Sequence, residues 1–231
     1  LQDENEGAMA DNPDAATRIK QWIVAIIVAL MTIDFVVVVS EAQWLSAFLI
    51  LTIATLILFV TVFSDRLGVQ IPAEFQILAL VFVFSALFLG EVRSYYDRIW
   101  WWDIALHSTS GLLMGILGFL LVYVLNESKR VALTMTPHFM AFFAFMFAVA
   151  VGSLWEIFEF FMDTVFATRM QKPMLDDPSG LTDSMWDMIV NTIGAMLISL
   201  LGWWYMKRDR PSFIDAWIEK FIERNPEWFR S

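Results

Sequence analysis

From Trp44 to Phe63, and again from Val131 to Trp155, the chain carries no charged residue. A bilayer core about 30 Å thick takes roughly 20 apolar helical residues to cross. Runs of this kind in soluble domains are shorter or interrupted by a polar face. They predict membrane-spanning helices, because a spanning segment must satisfy its backbone polar groups internally. Composition agrees: 58% of the 231 residues are hydrophobic and the mean hydropathy is +0.62. The expected fold class is all-α, a polytopic transmembrane helix bundle of about six spans. The spans fall at about 19–40, 44–63, 73–90, 102–125, 138–163 and 184–206.

The flanks divide the chain into three. Residues 1–17 hold Asp3, Glu4, Glu6, Asp11 and Asp14 with no basic residue. They lack the basic start and apolar stretch of a signal peptide and read as a disordered acidic tail. Residues 18–206 form the transmembrane domain. Residues 207–231 read as an amphipathic tail. There Pro211 can start a helix with Phe213, Ile214, Trp217, Ile218, Phe221 and Ile222 on one face. Such a helix lies on a membrane surface or packs against the bundle or a partner.

Lys and Arg placement sets the expected orientation. With six spans, one side receives Arg18, Lys20, Arg66, Lys129, Arg130, Lys207, Arg208 and Arg210, then Lys220, Arg224 and Arg230. The other receives Arg93, Arg98, Arg169 and Lys172. The richer side is cytoplasmic, so both termini are expected in the cytoplasm of a bacterial inner membrane. There are no cysteines, which excludes disulfides and thiolate metal sites. No basic cluster away from the membrane flanks suggests nucleic acid.

Polar groups gather where a membrane protein normally avoids them. Asp103 and His107 are four apart at the start of span four, so they share a helix face. Glu156, Glu159 and Asp163 share a face at the end of span five. Asp183, Asp187 and Asn191 do so at the start of span six. Alternating span direction brings all three helix ends to the outer leaflet. Asp103 and Asp183 also suit helix N-termini, where acids cap exposed N–H groups. Glu156, Glu159 and Asp163 do not, because a helix C-terminus disfavours negative charge. A carboxylate at hydrocarbon depth costs about 2.5–3.5 kcal/mol by insertion scales unless paired or protonated.

Carboxylates with one imidazole suit Zn²⁺, Mn²⁺ or Fe; carboxylates alone suit Mg²⁺ or Ca²⁺. Bundle proteins build metal centres from paired acids on facing helices. The expected site is therefore a divalent-metal or cation site made of Asp103, His107, Glu156, Glu159, Asp163, Asp183, Asp187 and Asn191. His107 and His138 fall near opposite ends of the bundle, which argues against a bis-histidine haem. Gly111, Gly115 and Gly118 on span four are packing residues that let neighbouring helices approach.

The stretches Tyr96 to Asp103-Ile104-Ala105-Leu106-His107 with Gly111, Leu154-Trp155-Glu156-Ile157-Phe158-Glu159, and Thr182-Asp183 to Asn191-Thr192-Ile193-Gly194 resemble uncharacterised bacterial inner-membrane proteins of the YjdF-like type. The resemblance covers about residues 91–206. VanZ-like membrane proteins are a more distant analogy, with a similar Asp-then-His start to a span. What the resemblance implies is a polytopic helical membrane fold.

The expected function is a membrane-embedded metal- or cation-binding protein open to the outer side, which as an enzyme would act on an amphiphilic or lipid-linked molecule. One rival is a cation- or proton-coupled transporter, which needs polar groups continuing inward; spans two and five are almost wholly apolar there. The other is a non-catalytic subunit that meets a membrane protein partner or a second copy of itself.

Overall fold

The computed structural model describes residues 15–63, 71–127, 135–208 and 220–226. They are helical apart from short turns, and the one extended pairing among them is an isolated bridge between Met174 and Asp177. Five of their helices are long and apolar enough to cross a membrane, and α2 adds a further apolar helix of 20 residues. The polytopic all-helical architecture follows directly from the charge-free runs.

The chain forms two compact units, Leu1–Ser94 and Tyr95–Ser231. In the first, α1 (Ala15–Ser40) turns through Ala42, which adopts a left-handed φ of 56°, into α2 (Trp44–Phe63). The third helix, α3 (Ala73–Val83), runs on as a π-helical segment, Phe84–Val92. The expected third span thus exists as one continuous helix, Ala73–Val92. Helix α1 packs on α2 and α3, and α2 packs on the π-helical segment. Ile27, Met31, Ile50, Ile57, Leu80 and Phe88 form the core between them. Polar contacts accompany it: Asp34 Oδ1 accepts from Arg93 Nη1 at 2.8 Å, and Gln76 Oε1 accepts from Lys20 Nζ at 2.9 Å.

Helix α1 begins at Ala15, so the last three residues of the expected tail are helical. Alanine favours helix more than any other residue, and Ala15-Ala16 sit where the first turn forms. Residues 1–14 lie outside the described residues. So do 209–219, which hold most of the expected amphipathic helix. The described remainder is helical over 220–224, with Phe221 buried.

The second unit holds the expected site. A short turn of helix, α4 (Tyr95–Arg98), leads into α5 (Trp102–Glu127). Then follow α6 (Pro137–Phe166) and α7 (Leu181–Lys207). These last three pack pairwise against one another. At about 1.5 Å per residue, the 30 residues of α6 reach about 45 Å, more than a bilayer core. Thr136 caps α6, its side chain accepting from Phe139 N at 3.4 Å, with Pro137 at the first position where its missing N–H costs nothing.

Glycine sets the spacing of this bundle. A Cβ on Gly111 would strike the Asn191 carbonyl oxygen, and one on Gly194 would strike the Ser108 carbonyl oxygen. The α5–α7 crossing is thus made backbone to backbone. Gly118 stands 2.8 Å, measured from an ideal Cβ, from Ala144 Cα, which brings α6 equally close. Without lipid–water contrast to drive helices together, such contact is the main source of association.

Candidate cation site at one pole of the second unit

Chain direction brings the start of α5, the end of α6 and the start of α7 to one pole of the second unit. His107 stands at their meeting point. Its Nε2 lies 3.4 Å from Asp103 Oδ1 and 3.8 Å from Asp187 Oδ2. Its Nδ1 lies 3.5 Å from Glu156 Oε1. The imidazole thus has two carboxylates on one edge and one on the other. Asp103, His107 and Asp187 each offer one ligand atom, and these atoms lie within 4.8 Å of one another. Two ligands about 2.0–2.2 Å from one ion stand roughly 3–4 Å apart, and both Nε2 distances fall in that range.

Burial makes the arrangement costly unless something balances it. Glu156 is 5% exposed and Asp187 2%. Both oxygens of Glu156 and Oδ2 of Asp187 are buried with no hydrogen-bond donor. The Ser184 hydroxyl, which accepts from Gln171 Nε2 at 2.7 Å, stands beside Glu156. A buried acceptor left without a donor costs about 1–3 kcal/mol, and more when charged. Asp103, with 21% of its side chain exposed, marks the open side.

The remaining acids divide by what they touch. Glu159 Oε1 accepts from Trp155 Nε1 at 2.8 Å, one helical turn away, which holds it at the edge of the group. Asp163 faces the connection to α7. Its Oδ1 accepts from Thr168 Oγ1 and Met170 N, and its Oδ2 from Gln171 N. Asp183 Oδ2 accepts from Lys172 N at 2.6 Å. These two carboxylates therefore staple the loop from opposite helix ends. Both of Asp163's oxygens are committed to it, so the structure does not bring Asp163 to the imidazole. Asn191 lies one turn beyond Asp187; its Nδ2 donates to Ala148 O at 3.3 Å. His138 packs against the ring of Trp203, far along α6 from this pole.

Two contributors carried no recognisable signal in the sequence. Gly152 sits where a Cβ would collide with the Asn191 carboxamide, 2.7 Å from its Cγ. Trp155 stands in the Leu154–Glu159 stretch without an assigned role, and its indole Nε1 donates to Glu159. The four-residue spacing from Gly152 to Glu156 places both on one face, which is the only hint available.

The loop has its own electrostatic anchor. Asp177 Oδ1 accepts from Ser179 N and Oγ, and Oδ2 from Thr182 N and Oγ1. These donors hold its carboxyl well below the usual carboxylate range. A depressed folded-state pKa means stability that is complete above the unfolded value, about 3.9, and is lost as pH falls toward the folded one. Asp177→Asn should therefore speed amide exchange at Thr182 at neutral pH. The gap from wild type should begin to close only below about pH 4. Equal exchange in both proteins at pH 7 would contradict this anchor.

Residues 19–208 match the model of a family described as "Predicted membrane protein (DUF2238)". A Thermotoga maritima protein described as uncharacterized is 25% identical over 126 residues, 54% of this chain. The chain spans 60% of that relative's length. No solved structure matches.

Proposed function

The chain belongs to this family of predicted membrane proteins, and from that premise we propose that it is a membrane-embedded divalent-cation-binding protein. Asp103, the Nε2 of His107 and Asp187 hold the ion. Glu156 Oε1 faces the Nδ1 of His107 at 3.5 Å and fixes the ring by charge, without a closed hydrogen bond. A carboxylate on the far nitrogen of a ligating histidine is a recurrent way to set its tautomer and raise its basicity. The observation that carries the reading is the set of buried, donorless oxygens on Glu156 and Asp187 around one imidazole.

Carboxylate and imidazole together favour Zn²⁺, Mn²⁺ or Fe over Ca²⁺. The Lys and Arg asymmetry supports an inner-membrane location with both termini cytoplasmic and the site facing outward. An ion held by Asp103, His107 and Asp187 would polarise an oxygen of a substrate, and an amphiphilic molecule in the outer leaflet would reach it without crossing water. Asp163 takes no part, and Asp183 acts through the loop. The YjdF-like resemblance rests on the same three helix ends.

A second reading has one observation in its favour. His107 stands within ion-pair distance of three carboxylates, so an imidazolium can itself balance charge, as in a proton-carrying transporter. Metal analysis of detergent-purified protein separates the two. The proposal expects bound transition metal in wild type. It expects about 10–100-fold weaker binding in Glu156→Gln, which keeps the ring in place without its charge. Wild-type protein that neither copurifies with metal nor gains thermal stability on adding Zn²⁺ or Mn²⁺ would remove the metal reading.

A further inference from the structure

One helical turn deeper than Asp187 stands another buried acceptor. Asn191 is 2% exposed, and its Oδ1 is buried without a donor. Its Nδ2 is turned toward Ala148 O, one helical turn deeper on α6 than Gly152. The carboxamide oxygen is left as the free end of the group. Gly152 makes room for the carboxamide, its ideal Cβ overlapping Nδ2 and standing 3.1 Å from Oδ1. Glu156 is one turn above Gly152 on α6, and Asp187 is one turn above Asn191 on α7. Both carboxylates meet the ring of His107, Glu156 at 3.5 Å from Nδ1 and Asp187 at 3.8 Å from Nε2.

The oxygens around this point are acceptors only. Glu156 Oε1 faces His107 Nδ1; Oε2 is left over, as are Asp187 Oδ2 and Asn191 Oδ1. Helix interiors offer no spare N–H, because each is used within its own ladder. A water molecule brings two hydrogens and no charge. Three carboxyl groups, those of Asp103, Glu156 and Asp187, stand within 3.8 Å of one imidazole, and one divalent ion balances two carboxylates.

We propose that the site takes two cations, the deeper one held by Glu156 Oε2, the Asn191 carboxamide oxygen and Asp187, which lies between the two positions. This rests on the cation reading above and extends it. All-oxygen ligation at the deeper position suits a hard ion such as Mg²⁺ or Mn²⁺. Paired ions about 3.5–4 Å apart are a common way to hold both ends of a reacting group.

The test is metal stoichiometry per chain after equilibration of the full-length, detergent-purified protein with Mn²⁺, read by elemental analysis. Electron paramagnetic resonance of the same samples reads spin coupling between neighbouring ions. Wild type is expected to hold two Mn²⁺ with a coupled signal. Asn191→Leu is expected to hold one, uncoupled. Asn191→Asp, which restores an oxygen at the same place, is expected to return to two. One ion in wild type and in both variants overturns this inference and leaves the single-ion site standing. No ion in wild type overturns both. Should Asn191→Leu fail to fold, the wild-type count and coupling decide alone.

Discussion

Replacing Gly194 with leucine should separate α5 from α7 and lower the thermal midpoint of the purified protein by several degrees or prevent folding. Two effects oppose each other. Any side chain gains roughly 0.5–1 kcal/mol over glycine in helix propensity. Against this, a Cβ at Gly194 would overlap the Ser108 carbonyl oxygen, and Leu112 N stands 3.2 Å away. Those are backbone atoms and cannot turn aside as a side chain can. Overpacking costs about 1–3 kcal/mol even where neighbours yield, so the steric term wins. Gly111→Ala should repeat the effect from the other helix, because its Cβ would overlap the Asn191 carbonyl oxygen. On the proposed cation reading both variants should also lose metal binding, since His107 is four residues before Gly111 and rides on the same helix. A Gly194→Leu protein with wild-type midpoint and metal content would mean that the close crossing does not exist.

Asp187→Asn should do the reverse: abolish metal retention while leaving the unloaded protein as stable or more stable. Asparagine keeps the shape and removes a charge from a place that is 2% exposed. Without an ion, the neighbouring carboxylates of Asp103 and Glu156 no longer repel a third. On the proposed reading, an ion at one hundred times its Kd would stabilise wild type by about 2.7 kcal/mol, a shift of roughly 5–11 °C in a chain of this size. That shift should vanish in the variant. Loss of affinity should exceed the 10–100-fold typical of a group that only orients a ligand. His107→Ala should match it for metal. A variant Asp187→Asn that still gains stability on adding metal would show that the ion is held elsewhere.

The helices were legible because lipid imposes length and apolarity on each segment separately. The convergence of Asp103, Glu156 and Asp187 was legible too, since alternating direction alone carries three helix ends to one pole. The division of labour among the acids was not. Glu159 and Asp163 stand four apart on one face of α6, yet Glu159 meets an indole and Asp163 meets loop amides. That difference depends on where residues 168–172 fold back, and turn residues do not encode a destination. Nor could spacing reveal that the two nitrogens of His107 face different helices. Gly152 was invisible for a related reason: its role is to leave room for a side chain that arrives from α7.

The π-helical stretch Phe84–Val92 carries a consequence for the first unit. Bonding from each residue to the fifth along winds the backbone more slowly than an α-helix does. Arg93 consequently leaves the axis at a lagging angle, and at that angle its guanidinium finds Asp34. The ion pair works as a phase mark on the helix. Deleting or adding one residue before it would swing the cation about 100° around the axis and leave Asp34 without Arg93, so chain length here is as constrained as residue identity.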